Sequence, residues 1–198
     1  MRTASLAAGG LLAVGLVWPS PRTPINLAVS GEQVQSGWVS LQSAAVPNAA
    51  SPVPDLSLAI DLPGSALKGR RERVGLAVEV STPGASLPVY TLAAEVVSVD
   101  ASVSPAGESA QALRPATNFG WSLVARHAPL SSATLLIRLR RHAESGVAEG
   151  ERLLVARDVE IPVRTLAGLS APAATSAAGI LVLAGATIWI ACGVPRTR

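Results

Sequence analysis

The chain has 198 residues, 49% of them hydrophobic and 15% charged, with 16 Lys and Arg against 13 Asp and Glu and a formal charge of +3. That length holds one ordinary domain with additions and excludes a large multidomain enzyme. A charged fraction this low, with a mean hydropathy of +0.41, excludes a wholly disordered chain and points to strongly apolar segments.

A pI of about 10.0 suggests an acidic partner, but the distribution of charge removes that suggestion. Residues 21–165 hold twelve Arg and one Lys against all thirteen acids, and the surplus is Arg2, Arg196 and Arg198 at the two ends. A neutral middle offers no phosphate-spaced basic face, so no nucleic-acid partner is expected. Fifteen Arg to one Lys, with abundant Ala, Gly, Pro and Val, reads as the codon bias of a GC-rich bacterial genome.

The N-terminus reads Met1-Arg2-Thr3, then an apolar run over 4–18, then Pro19, Pro21 and Arg22. A basic start followed by such a run is the form of a secretory signal. No Ala-x-Ala site follows, and Pro19, Pro21 and Pro24 make poor cleavage neighbours. Residues 1–20 are therefore a signal peptide or an uncleaved anchor, the latter with Gly9 and Ala13 as a small-residue packing pair. Either choice places residues 21–169 outside the cytoplasm.

Period-two alternation dominates the middle. Leu56, Leu58, Ile60 and Leu62 share one face, as do Val74, Leu76, Val78 and Val80, then Phe119, Trp121, Leu123 and Ala125, then Leu135, Ile137 and Leu139. Further strands are expected at 25–30, 38–42, 88–99 and 153–163, separated by Pro, Gly, Ser and Asn clusters, with no amphipathic helix of any length between them. Seven or eight short strands at this spacing predict an all-β fold, an antiparallel Ig-like β-sandwich, with Trp121, Phe119, Leu123, Leu135, Ile137 and Leu139 in its core. Arg138, Arg140 and Arg141 alternate with apolar residues on a strand that returns as a hairpin through Arg157, Asp158 and Glu160, with Glu144, Glu149 and Glu151 in the connection. Such a face forms cross-strand ion pairs or contacts anionic headgroups.

The order of segments over 87–163 carries a resemblance. Leu87-Pro88-Val89-Tyr90, the Ser104-Pro105 turn, Phe119-Gly120-Trp121-Ser122-Leu123, Leu135-Leu136-Ile137-Arg138-Leu139 and the closing Val159-Glu160-Ile161-Pro162-Val163 resemble the membrane-proximal Ig-like β-sandwich modules of bacterial surface and effector-associated membrane proteins. That pattern joins the Trp-x-Leu and Leu-x-Ile-x-Leu strands as a hairpin through a Gly turn, where this chain has Ala128-Pro129-Leu130-Ser131-Ser132. The resemblance implies a non-catalytic module.

Catalytic constellations are lacking in the sequence. His127 and His142 each follow an Arg at a strand end, no Gly-x-Ser-x-Gly elbow or phosphate-binding Gly loop is present, and Asp55 and Asp61 lie about 20 Å apart along a strand. Neither cofactor nor metal is expected. The lone Cys192 provides no disulfide framework.

The C-terminus completes the plan. No charge occurs between Arg164 and Arg196, and residues 177–194 as helix span about 27 Å, or about 36 Å if extended back to 171, enough for a bilayer core of roughly 30 Å. Ile180, Leu181, Val182, Leu183, Ile188, Trp189 and Ile190 would form the anchor within 170–194, after a short linker at 171–176. Residues 195–198 would be a cytoplasmic tail, with Arg2, Arg196 and Arg198 marking the cytoplasmic side.

The expectation is a non-catalytic protein of the bacterial cell membrane, crossing once or twice, that works in binding or assembly as a stalk, adaptor or accessory subunit. Its partners would be the lipid bilayer and another envelope or membrane protein. Two rivals stand beside it: a subunit of a larger membrane complex with both terminal helices retained, and an envelope receptor or hydrolase using His127 with Arg126 or Arg138.

Overall fold

The computed structural model describes residues 19–35, 39–40, 54–81, 90–142 and 148–193. The N-terminal apolar segment with Arg2, and the tail with Arg196 and Arg198, lie outside the described residues.

Alternation in the sequence becomes strand with one face buried. β1 (Arg22–Val29), β3 (Leu56–Pro63), β5 (Arg71–Val80), β7 (Ala101–Ser104) and β9 (Ala116–Ala125) form one sheet in the order β1-β3-β5-β9-β7. The other runs β2-β11-β10-β6-β8, from β2 (Val39–Ser40), β6 (Tyr90–Val97), β8 (Ser109–Ala112), β10 (Leu130–His142) and β11 (Ala148–Arg164). β4 (Ala66–Leu67) adds a short parallel pairing to the end of β11, and every other ladder is antiparallel.

The two inner faces meet in one apolar core. Leu56, Leu58, Ile60, Val74, Leu76 and Val78 come from one sheet and face Leu92, Leu135, Ile137, Leu139 and Ile161 from the other. Phe119 and Trp121, two residues apart on β9, stack with centroids 6.0 Å apart and planes at 9°. Trp121, Phe119, Leu123, Leu135, Ile137 and Leu139 are all buried. Each such side chain contributes about 1.5–3 kcal/mol on removal from water.

The architecture is the β-sandwich that the alternation predicted, with differences in detail. Eleven strands are present among the described residues rather than seven or eight, because β2, β4, β7 and β8 span two to four residues, too few for alternation to register. A five-residue helix, α1 (Gly31–Gln35), follows β1; it buries Val34, and the Gly31 N–H donates to Asp55 Oδ1 at 2.7 Å.

The expected hairpin between the Trp-x-Leu and Leu-x-Ile-x-Leu strands is instead a crossing between sheets. β9 pairs with β5 and β7, and β10 pairs with β6 and β11. Residues 126–129 are tied at each end to a different sheet: the Arg126 N–H donates to Asp100 O, and Pro129 O accepts from the Val163 N–H. Phe119, Trp121, Leu135 and Ile137 then face one another across the core rather than side by side.

Residues 171–176 are helix, not linker. α2 (Ala171–Gly193) has 23 residues, and its start is docked on the turn after β4: the Ala171 N–H donates to Lys68 O at 2.7 Å. Ser170 precedes the first turn and accepts from the Ala174 N–H, and Pro172 sits in that turn, where a missing N–H costs nothing. Ala171, Ala174 and Ala178 are buried, whereas Ile180, Val182 and Leu183 are exposed. The side chains of Ile188, Trp189 and Ile190 lie outside those described. Among the described residues no helix is long and apolar enough to cross a membrane.

Candidate functional site

The two sides of the sandwich end differently. On one side the outermost strands are β7 and β8, four residues each. On the other they are β1 and β11, and β11 meets β2 only at Gly150 and Glu151 and β4 only at Val163 and Arg164. Among the described residues, 152–162 therefore present backbone N–H and C=O groups with no ladder on the outer side. Long open edges of this kind invite another strand.

A groove runs between these edges. It measures about 700 Å³ and is lined by Leu27 and Val29 of β1, Gln33 and Val34 of α1, and residues 152–157 of β11. Ile25, Leu27 and Val29 turn inward on β1 and are only partly covered, as are Leu154, Val155 and Val159 on β11.

A β-bulge decides which side chains reach the groove. Ile137 pairs with Val155 and Arg138 with Leu153, so Leu154 is the extra residue and the facing of β11 reverses there. Arg157 lies opposite buried Leu135, and Arg152 opposite buried Leu139, so both guanidinium-bearing residues belong to the core-facing row at its open margin. Neither has an ion pair or hydrogen bond among the described residues. The groove thus combines apolar walls with two cations free to meet carboxylates.

The same bulge sends Glu151 outward, into register with Arg140. Arg140 Nε donates to Glu151 at 2.7 Å and its Nη atoms to Glu108, while Arg138 meets Glu108 at 2.9 Å, Glu151 at 3.4 Å and Glu95 at 3.9 Å. The Arg140 guanidinium is held above its ordinary pKa, first by its hydrogen bond to Glu151, against the opposing pull of partial burial, and then by the hydrogen bond and charge of Glu108. Arg138 and Arg140 therefore serve cross-strand pairing, and Glu151 lies within β11 rather than in the connection. Glu144, and the connection at 143–147, lie outside the described residues.

The remaining candidate residues do not converge. His127 is exposed just after β9, and Arg126 next to it donates to Ser102 Oγ at 2.8 Å. His127 and His142 flank opposite ends of β10, and Arg138 lies eight residues along that strand from Leu130, about 26 Å from the His127 end. Among the described residues no group of three or more His, Cys, Asp or Glu is placed to hold a metal ion. Of the groove residues, Arg157 was expected on the charged outer face of the hairpin rather than in the core-facing row, and Arg152 and Leu154 carried no signal of their own. The available signal was the run Leu153-Leu154-Val155, which interrupts period two at the bulge.

No family model matches the sequence, and no curated protein is matched. Among solved structures the chain is similar to the ASH/PapD-like domain of human CEP192 (PapD-like domain 7), at 7% identity and a TM-score of 0.37, over 65% of this chain and 98% of that one. It is also similar to domains 4 and 5 of the S-layer protein SbsC, at 14% identity and a TM-score of 0.25, over 73% and 76% of the two chains.

Proposed function

We propose that this chain is a non-catalytic binding or assembly protein of a bacterial envelope, tethered to the membrane by α2, that takes an extended segment of a partner protein into the groove beside β11. The observation that carries the reading is the groove itself: partly covered apolar rows on both sheets and, among the described residues, an open strand edge and no ion pair or hydrogen bond to the Arg152 and Arg157 side chains. An incoming strand would hydrogen-bond along 152–162, place alternate apolar side chains on Leu27, Val29 and Val155, and set carboxylates on the two Arg. Backbone pairing supplies affinity, and the alternation of apolar and acidic side chains supplies selection.

Membrane attachment is supported by the uncharged run between Arg164 and Arg196 and by the exposure of Ile180, Val182 and Leu183 beyond the docked first turns of α2. The N-terminal entry lies at the same end of the sandwich: the Gly64 N–H donates to Pro21 O, and Ser20 Oγ donates to Glu72 at 2.7 Å. A retained N-terminal anchor would thus leave beside α2.

The test is site-specific photo-crosslinking in membranes from Ala156, beside the groove, and from Ser102 on β7. A crosslinked partner captured from Ala156, not from Ser102, and lost in Arg152→Glu/Arg157→Glu is the expected result. Capture that is indifferent to the double charge reversal, or equal from the two edges, overturns the reading.

A further inference from the structure

β11 leaves its backbone open in a defined pattern. In its pairing to β10 the Val163 N–H donates to Pro129 O, so odd-numbered residues from 155 to 163 turn their backbone groups toward β10 and even-numbered ones turn theirs outward. Arg164 follows the same rule, its carbonyl accepting from the Lys68 N–H on the outer side. Among the described residues, the N–H and C=O groups of Ala156, Asp158 and Glu160 have no ladder partner, and Pro162, with no N–H, closes that edge. The edge of β1 across the groove is blunted earlier. There the Gly64 N–H donates to Pro21 O, which turns residues 22, 24, 26 and 28 outward, and Pro24 removes a donor from that row. An added strand therefore belongs on β11.

Side chains along this edge differ in charge between its two faces. Val155, Arg157 and Val159 lie in the core-facing row, opposite Ile137, Leu135 and Ala133. Ala156, Asp158 and Glu160 lie in the outer row and are exposed. Asp158 accepts from Thr134 Oγ1 at 2.6 Å, and Glu160 has no ion pair or hydrogen bond among the described residues. The groove side of the edge is thus apolar and cationic, and its outer side is anionic. A second copy of the strand does not fit it. Antiparallel pairing about a two-fold axis at 157, 158 or 160 sets Arg157 on Arg157, Asp158 on Asp158 or Glu160 on Glu160, and an axis at 159 sets Asp158 on Glu160. An axis at 156 runs Asp158 against the bulge at Leu154. Like charges directly opposite are destabilising, so the edge selects against its own copy.

We propose that the segment taken by β11 is a strand of another protein with oppositely charged faces: paired antiparallel, it sets basic side chains opposite Asp158 and Glu160, an acidic side chain opposite Arg157, and apolar side chains opposite Val155 and Val159. In the partner's own direction the pattern is basic, apolar, basic, acidic, any residue, apolar. Antiparallel pairing is the more stable kind and the one β11 makes with β10. The inference rests on the groove reading above and adds the outer row to it. The apolar and acidic side chains are read inside the groove, and the basic ones outside it, where Asp158 and Glu160 reject a segment that is acidic on both faces.

The test uses the full chain in uncharged phosphatidylcholine vesicles and a pair of synthetic peptides with a benzophenone crosslinker at the unrestricted position. One reads Lys-Val-Lys-Glu, crosslinker, Val; the other reads Glu-Val-Glu-Glu, crosslinker, Val. They share the groove-facing row and differ only in the outer row. The first is expected to crosslink to β11 several-fold more than the second, and Asp158→Lys/Glu160→Lys should reverse that order. Arg152→Glu/Arg157→Glu should lower both. Equal crosslinking of the two peptides, still lost in the Arg double variant, overturns the inference and leaves the groove reading standing. Crosslinking of neither overturns the groove reading, and the inference with it. Oxidation of Ala156→Cys in a Cys192→Ser background should yield no disulfide-linked dimer; a dimer places a second copy on the edge and overturns the inference.

Discussion

Tyr90 shows how much one side chain's place in the core decides. It is buried, and burial lifts its phenol above its ordinary pKa of 10.0, against a smaller lowering by the nearby Arg141 cation. The folded protein then holds a proton that the unfolded chain releases. Stability is fully present below about pH 10 and declines as pH rises from there through the folded value. Tyr90→Phe keeps the ring and removes the ionisation, so denaturant unfolding followed between pH 9 and 11 (about one unit each side of a free tyrosine) should show a shallower alkaline decline in the variant. An identical decline would mean that another group controls it. At this scale the sequence was informative where a residue's role follows from its row: Trp121, Phe119 and Leu123 sit in one alternating series and are buried together. It was silent on the burial of Tyr90, which opens β6 at the boundary of a Pro- and Gly-rich stretch, and on the Trp121 indole N–H, buried with no hydrogen-bond partner among the described residues. Both depend on what lies across the core.

Elements were legible to the extent that their signals are local. Alternation located β3, β5, β9 and β10, but which strands would share a sheet depends on turns, and Ala128-Pro129 carries the chain across the sandwich where a hairpin was expected. The bulge at Leu154 is visible only as three consecutive apolar residues, yet it sets the facing of Glu151, Arg152 and everything that follows in the groove. Ala171–Ser176 read as a linker because Pro and Ser commonly mark breaks, whereas here Pro172 occupies a first helical turn. That junction is tight: Gly69 has φ of +77°, and a Cβ there would meet Pro172 Cδ at 2.9 Å. An L-residue at such a φ costs about 1–2 kcal/mol, and the clash adds to it. Gly69→Ala is therefore expected to lower the urea midpoint and to loosen the start of α2, read as faster amide exchange at Ala171, whose N–H is bonded to Lys68 O. A Gly107→Ala control, also at positive φ but with open space around it, should show the backbone cost without the change at Ala171.

For the whole molecule, the groove and the helix-bearing end stand in a fixed relation because β11 connects them. Its last residue, Arg164, is at the helix-bearing end, and Arg157 at the lower margin of the groove is seven residues earlier, about 23 Å along an extended strand. Sequence composition indicated a neutral middle with its surplus charge at the termini. It could not indicate which side chains meet at the helix-bearing end, because Lys68, Val99, Arg126 and Leu130 come from separate turns that only the sheet pairing brings together. With α2 as the tether and its start docked on Lys68 O, the groove would open sideways, accessible to a partner in the same membrane. Energy transfer from a donor at Ala156→Cys, in the Cys192→Ser background, to acceptor lipids should then report a separation of at least about 20 Å, as the strand geometry requires. Inserting a Gly-Ser segment between Leu169 and Ser170 frees the sandwich to tilt, so the separation should broaden and shorten on average, while the urea midpoint of the sandwich changes little. An unchanged separation after the insertion would show that α2 docking does not set the height.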